Sequence, residues 1–293
     1  MQTESYDVIV IGAGQAGPAL AARCSKEGLR TAVIERGHFG GTCVNVGCIP
    51  TKTLVASARA IHLARRGAEF GFSAGELQVN MSRIKARKDA IVEQSRSGVV
   101  QWMEGLRNTE IIRGEATFTG PRTLTVAGRT LTAAKIFINV GGRSVVPDIP
   151  GLPDVPYLDN TNIMELTEVP QHLVIIGGSY IGLEFAQMMR RFGAHVTVVE
   201  RAPKLLPRED DDISDGIRAI LEAEGVVFQL GAECLSLAMD GQKIIVGTAC
   251  GDASPTIVAS HVLLAVGRRP NTDGLGLASA WARAARSPAS AKC

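Results

Sequence analysis

Cys43 and Cys48 stand in the run Gly40-Gly-Thr-Cys-Val-Asn-Val-Gly-Cys-Ile-Pro-Thr-Lys52, with four residues between them. Two thiols at that separation can open and close a disulfide, which is two-electron redox chemistry. A close pair alone carries little, because six cysteines are spread over 293 residues and most intracellular cysteines are small buried hydrophobes. What gives this pair meaning is its position directly downstream of a dinucleotide-binding fingerprint.

That fingerprint occupies residues 7 to 35. Asp7-Val-Ile-Val-Ile11 is an apolar, β-branched run of the kind that forms a strand buried on both faces. Gly12-Ala-Gly14-Gln-Ala-Gly17 follows as G-x-G-x-x-G. Gly12 serves the tight turn, Gly14 lets the backbone approach a pyrophosphate, and Gly17 lets the next helix pack closely on the strand. The phosphates are expected at that helix's N-terminus, where free N–H groups and the macrodipole favour negative charge. A second strand, Thr31-Ala-Val-Ile-Glu35, ends in an acid able to accept hydrogen bonds from an adenosine ribose.

The pattern then repeats. Leu173-Val-Ile-Ile176 leads into Gly177-Gly-Ser179-Tyr-Ile-Gly182, a helix to about Arg191, and the strand His195-Val-Thr-Val-Val-Glu200. The interval from first glycine to acid is 23 residues in both copies, Gly12 to Glu35 and Gly177 to Glu200. Ser179 stands where the middle glycine is expected, so the backbone must approach a phosphate around a small side chain. Two dinucleotide sites and a cysteine pair together suggest a relay, with hydride passing from a nicotinamide to a flavin and electrons then passing to a disulfide.

On these residues, the stretch from 6 to about 277 resembles the flavin-dependent pyridine nucleotide-disulfide oxidoreductases, the family of dihydrolipoamide dehydrogenase, glutathione reductase and mercuric reductase. The cysteine run is specific for the branch whose disulfide lies in the FAD domain, and is especially similar to the mercuric reductase and lipoamide dehydrogenase versions. The resemblance implies an α/β fold of two Rossmann-like three-layer domains. Residues 1–150 would bind FAD and carry the disulfide, residues 151–270 would form an inserted NAD(P)-binding domain, and 271–293 would be a return segment and atypical tail.

By the same resemblance, Cys43 is the interchange thiol that attacks substrate and Cys48 the thiolate against the flavin. A pair on the first turn of a helix is expected to have a lowered thiol pKa. Lys52, one turn beyond Cys48, would approach the flavin and pair with Glu184, while Tyr180 would be the aromatic lid that moves aside for nicotinamide. Read singly, these three would be a solvated lysine, its surface partner and an ordinary core aromatic. Gly41, Thr42, Gly142 and Gly267 complete the cofactor-binding set that the resemblance implies.

Glu200 accepts a hydrogen bond from a ribose 2′-hydroxyl and repels a 2′-phosphate, which favours NADH over NADPH. Arg201 and Arg208 lie close enough in sequence to blur that preference. The cysteine run and the nucleotide site thus point to different subfamilies. The implied reaction is NAD(P)H-dependent reduction of a small-molecule disulfide or of Hg(II).

Composition agrees with this frame. Hydrophobic residues make up 45% of the chain, enough for the cores of two domains. A net charge of +2 gives no indication of nucleic acid or membrane as partner. The opening Met1-Gln-Thr-Glu-Ser5 runs directly into a strand and no apolar run approaches a membrane span, so a cytoplasmic protein without leader is expected. Cys24, Cys234 and Cys250 are expected to be structural and Cys293 a tail residue. No histidine spacing suggests a metal site; among the five histidines, His38 is near the cysteine pair in sequence.

Between the fingerprints, 53–66 and 82–105 read as helices and 110–140 as short strands broken at Gly120-Pro121 and Ala127-Gly128. Ile136-Phe-Ile-Asn-Val140 reads as the exit strand, echoed by Val262 to Asn271. The resemblance ends near Leu277, and Ala278–Cys293 changes composition sharply. Relatives continue into an interface domain that forms a dimer and supplies a His-Glu acid–base pair, so a truncated or frameshifted, non-dimeric product is expected. Loss of that pair would cost a factor of roughly 10²–10⁴ in rate. Two other readings stand beside the relay: an inactive nucleotide-binding remnant, and an NADH oxidase or diaphorase without thiol turnover.

Overall fold

The computed structural model describes residues 3–233, 235–248 and 256–280 of the 293. Cys234, Cys250, Cys293 and the tail beyond residue 280 lie outside the described residues. The chain begins with β1 (Thr3–Ile11), α1 (Ala16–Lys26), β2 (Thr31–Glu35), the short α2 (Gly41–Val46) and α3 (Cys48–Arg65). There follow α4 (Met81–Glu104), β3 (Thr109–Arg113), β4 (Thr117–Gly120), β5 (Thr123–Val126), β6 (Arg129–Ile138) and β7 (Gly142–Ser144). The second half holds β8 (His172–Ile176), α5 (Tyr180–Phe192), β9 (His195–Glu200), α6 (Asp211–Ala223) and β10 (Val227–Leu230). It ends with β11 (Ser236–Asp240), β12 (Lys243–Gly247), β13 (Thr256–Ala259), β14 (His261–Leu264) and β15 (Arg268–Pro270).

The described residues divide into two compact units, one drawn from 3–50, 89–143 and 268–280, the other from 51–88 and 144–267. The first is built on a six-stranded sheet of order β3-β2-β1-β6-β5-β4. Its strands β3, β2, β1 and β6 are parallel, and β5 and β4 extend the edge as an antiparallel meander. Pairing with β6 begins at Thr3, so β1 starts four residues before the apolar run in the sequence. Val8 and Val10 pack with Cys24, Val33 and Phe39 on one face. Ile9 and Ile11 pack with Ile34, Leu124 and Leu131 on the other. Burial on both faces is what an all-apolar strand requires, and each such side chain stabilises the fold by roughly 1.5–3 kcal/mol.

The second unit repeats the plan with a parallel sheet of order β10-β9-β8-β14. An antiparallel sheet, β11-β12-β13, precedes β14 in the chain as the meander precedes β6. Val174 and Ile176 of β8 join Val262, Leu264 and the β11–β13 sheet in one core. Leu173 and Ile175 are fully buried as well. Residues 51–88, expected with the first domain, group with this unit because they are tied within it. The Thr51 hydroxyl lies 3.7 Å from the Met164 sulphur, Arg65 bonds the Arg191 carbonyl, and buried Lys88 pairs with Glu165 at 2.7 Å. Among the described residues no helix is long and apolar enough to cross a membrane.

Candidate functional site

The two glycine turns are built alike down to single hydrogen bonds. In the first unit, Gly12 N donates to Ile34 O at 2.8 Å, Asn139 N to Ile11 O at 2.7 Å, and Gly114 N to Glu35 O at 3.0 Å. The second unit has Gly177 N to Val199 O at 2.9 Å, Ala265 N to Ile176 O at 2.8 Å, and Ala232 N to Glu200 O at 3.1 Å. Gly12 adopts φ +106°, and a Cβ there would fall 2.3 Å from Asn139 O; Gly177 adopts φ +115°, with Ala265 O at 2.6 Å. A Cβ on Gly17 would lie 2.1 Å from Gly12 O, and one on Gly182 2.1 Å from Gly177 O. These four glycines are therefore fixed by the turn and by helix packing.

The acids are held alike too. Glu35 accepts from Ala13 N and Gly37 N, both at 2.7 Å. Glu200 accepts from Gly178 N at 2.5 Å and Ala202 N at 2.8 Å. Two backbone donors fix each carboxylate at the end of its strand and leave further lone pairs for ribose hydroxyls.

In the first unit these parts face a cleft of about 650 Å³. Gly12, Gly14 and Glu35 line one part of it, and Gly41, Thr42, Cys43, Cys48 and Gly142 another. Gly14 and Gly41 oppose each other backbone to backbone: a Cβ on Gly41, at φ +58°, would lie 2.6 Å from Gly14 Cα. Such a Cβ-free cradle, at the C-terminal ends of parallel strands where the strand order reverses, suits a dinucleotide. Gly17 stands apart from the cleft, packed on Gly12. His38 is exposed and is not among the cleft-lining residues.

The cysteine pair is divided between two helices, contrary to the sequence expectation of a single first turn. Cys43 belongs to α2 and Cys48 opens α3. Gly47 reverses the chain between them with φ −142° and ψ −118°. A side chain there would put a Cβ 2.8 Å from Thr42 O, so the close return of Cys48 toward Cys43 depends on glycine. Both cysteines are free thiols, Cys43 half-buried and Cys48 exposed. The expected lowering of the thiol pKa is overturned for Cys43. Burial first, and then the neighbouring Cys48 thiol, push it up, outweighing hydrogen bonds from the Cys48 and Ile49 backbone that pull it down. The field of the α3 N-terminus is present, but desolvation wins.

The second unit gathers Lys52, Glu184, Tyr180, Gly177, Gly182, Glu200 and Gly267. Lys52 forms an ion pair with Glu184, as the resemblance implies. Tyr180, the first residue of α5, is 61% exposed, where an ordinary core aromatic would be covered. Its hydroxyl donates to the Glu209 carboxylate, and this bond raises the phenol's pKa. Gly267 holds φ +126°, a backbone state that favours glycine, and its carbonyl accepts from Val145 N at 3.0 Å. Cys24 is buried against β1 and β2. Among the described residues no group of three His, Cys, Asp or Glu side chains is placed to hold a metal ion.

Sequence reasoning missed a clasp in the first unit. Arg268 donates to Gly142 O and, at 3.4 Å, to the Thr42 hydroxyl beside Cys43. Asn271 bonds Val140 O and Gly141 O at 3.0 Å, while Arg143 holds Asn271, Pro270 O and Asp273. The echo between Val140-Gly-Gly and Val266-Gly-Arg-Arg-Pro-Asn271 was the signal, and it marks two segments that bind each other at the cleft.

Comparison with known proteins bears on the same residues. Residues 6–285 match the family described as Pyridine nucleotide-disulphide oxidoreductase. The chain is 38% identical over 278 residues to a mercuric reductase of Streptomyces lividans, an alignment covering 93% of this chain and 58% of that protein. It is 36% identical over 283 residues to a dihydrolipoyl dehydrogenase of Thermus scotoductus, covering 94% and 60%. The solved structure of the HOCl-induced flavoprotein disulfide reductase RclA from Escherichia coli superposes with a TM-score of 0.84 at 36% identity, covering 96% of this chain and 61% of that one. The chain thus spans about 60% of the length of these relatives. With the doubled glycine turn, the paired carboxylates and the two thiols of one cleft all present in the matched span, the chain belongs to the pyridine nucleotide-disulphide oxidoreductase family.

Proposed function

We propose that the chain is the two-nucleotide part of an FAD-dependent oxidoreductase that moves electrons from NAD(P)H to the Cys43/Cys48 pair and on to a small disulfide or Hg(II). The observation that carries this reading is the cleft of the first unit, where the glycine turn, Glu35 and both thiols line one concavity. FAD fits there: the Gly14/Gly41 cradle admits a pyrophosphate and Glu35 admits a ribose. When bound, the flavin supplies the step between two-electron hydride chemistry and thiol chemistry.

The chain's own residues do the rest. In the reduced state, Cys43 attacks one sulphur of a substrate disulfide, breaking its S–S bond and releasing the first thiol. Cys48 then attacks the Cys43 sulphur, releasing the second thiol and closing the Cys43–Cys48 disulfide; the pair has lost two electrons and the substrate has gained them. Lys52, held by Glu184, keeps a positive charge on α3. Gly177 and Glu200 take the pyrophosphate and ribose of the nicotinamide nucleotide, with Tyr180 as its aromatic cover. The Glu200 carboxylate supports NADH over NADPH. A cytoplasmic setting, where the thiols can be recycled, agrees with this reading.

A thiol count tests the proposal. NADH added to the oxidised, flavin-loaded chain without oxygen should expose two additional titratable thiols, and Cys48→Ser should gain none. An unchanged count in the parent chain would contradict thiol turnover, and dye reduction surviving in Cys48→Ser would then favour a diaphorase.

A further inference from the structure

The C-terminal ends of α3, α5 and α6 come together in the second unit around a cleft of about 750 Å³. Four guanidiniums, one imidazole and two carboxylates line it. Much of this charge has a local reason, since helix C-termini leave carbonyls that basic side chains satisfy. Arg65 Nη1 donates to Arg191 O at 2.5 Å, and Arg190 donates to Glu224 O at 3.0 Å and Ala194 O at 3.2 Å.

The carboxylates are already committed. Glu224 is held by Arg191 through bonds of 2.7 and 2.6 Å and by Gln187 at 2.7 Å. Glu69 is held by both Nε and Nη2 of Arg66. These two pairs cancel. Arg65 and Arg190 form no ion pair among the described residues, so two positive charges remain with spare N–H donors after the helix carbonyls are satisfied. His62 sits beside them with Nδ1 3.8 Å from Glu224 Oε2. Burial, and then the Arg191 and Arg66 charges against the opposing pull of Glu224 and Glu69, hold its pKa below the ordinary imidazole value.

We infer that this cleft is a binding site for a doubly charged oxyanion, a phosphate monoester or free phosphate, with Arg65 and Arg190 supplying the matching charge. Guanidinium donors suit phosphate oxygens. The exposed side chain of Ile220 at the rim offers apolar surface to an organic body carrying the phosphate. The cleft is distinct from the nucleotide turn. That turn is at the N-terminal end of α5, whereas Arg190 and Arg191 are at its C-terminal end, about 15 Å along the axis.

His62 makes the site readable in the wild-type protein. A bound dianion favours the imidazolium form, so phosphate should raise the pH midpoint of the His62 ring signals, followed by NMR, by about half a pH unit or more. In Arg65→Ala phosphate affinity should fall about tenfold and the rise at a fixed phosphate concentration should shrink, while Arg65→Lys should restore part of it. An unchanged His62 midpoint in the wild-type protein at saturating phosphate would overturn the proposal. So would an equal rise produced by chloride at matched ionic strength, or an undiminished rise in Arg65→Ala.

Discussion

At the scale of single residues, the chemistry rests on where each charge and thiol is held. The Cys43 thiol is predicted to ionise above the ordinary cysteine range. Its alkylation by iodoacetamide in the reduced protein should rise through a pH above that of an ordinary cysteine, because burial and the Cys48 thiol both disfavour its thiolate. Cys48→Ser should move the profile back toward the ordinary value; a parent profile below that value would contradict the assignment. Nucleotide choice belongs to this scale as well. Fixed by two backbone donors, the Glu200 carboxylate should weaken NADPH relative to NADH by about tenfold or more at low salt, and equal dissociation constants would remove it as the selector. The positions of Cys43, Cys48, Glu35 and Glu200 relative to the strands and glycine turns were legible because motif spacing sets them. The sign of the Cys43 shift was not, since desolvation depends on packing from residues remote in sequence.

At the scale of elements, the repeated strand, glycine turn, helix and strand could be read with bounds close to those found. β2 and β9 fall where the apolar runs place them, and α5 ends one residue beyond the expected Arg191. What escaped was the break at Gly47 between α2 and α3, because a helix-compatible run does not reveal that Thr42 O closes the space a side chain would need. Contrasting glycines test this geometry. Gly12→Ala should destabilise the first unit by roughly 2–4 kcal/mol, from a positive φ and a Cβ 2.3 Å from Asn139 O. Gly216, exposed within α6 with nothing within 4 Å of its added Cβ, should instead give a gain of roughly 0.5–1 kcal/mol as Gly216→Ala. Urea unfolding midpoints measure both, and equal effects would show that crowding does not set the role of Gly12.

At the scale of the whole molecule, one supersecondary plan is used twice, each copy with its own parallel strands, a set of antiparallel strands and an acid-tipped second strand. Internal repetition made that plan visible, because the same 23-residue interval recurs. The grouping of 51–88 with the second unit was not visible, being fixed by contacts such as Lys88 with Glu165 across 77 residues of chain. We propose that a bound flavin connects a nicotinamide nucleotide to the cysteine pair. The most direct test is the visible spectrum of the purified, flavin-loaded chain before and after NADH is added without oxygen. Loss of the oxidised-flavin absorbance is expected, with a new long-wavelength band that is absent in Cys48→Ser. A chain that retains no flavin, or a flavin spectrum that NADH leaves unchanged, would contradict it.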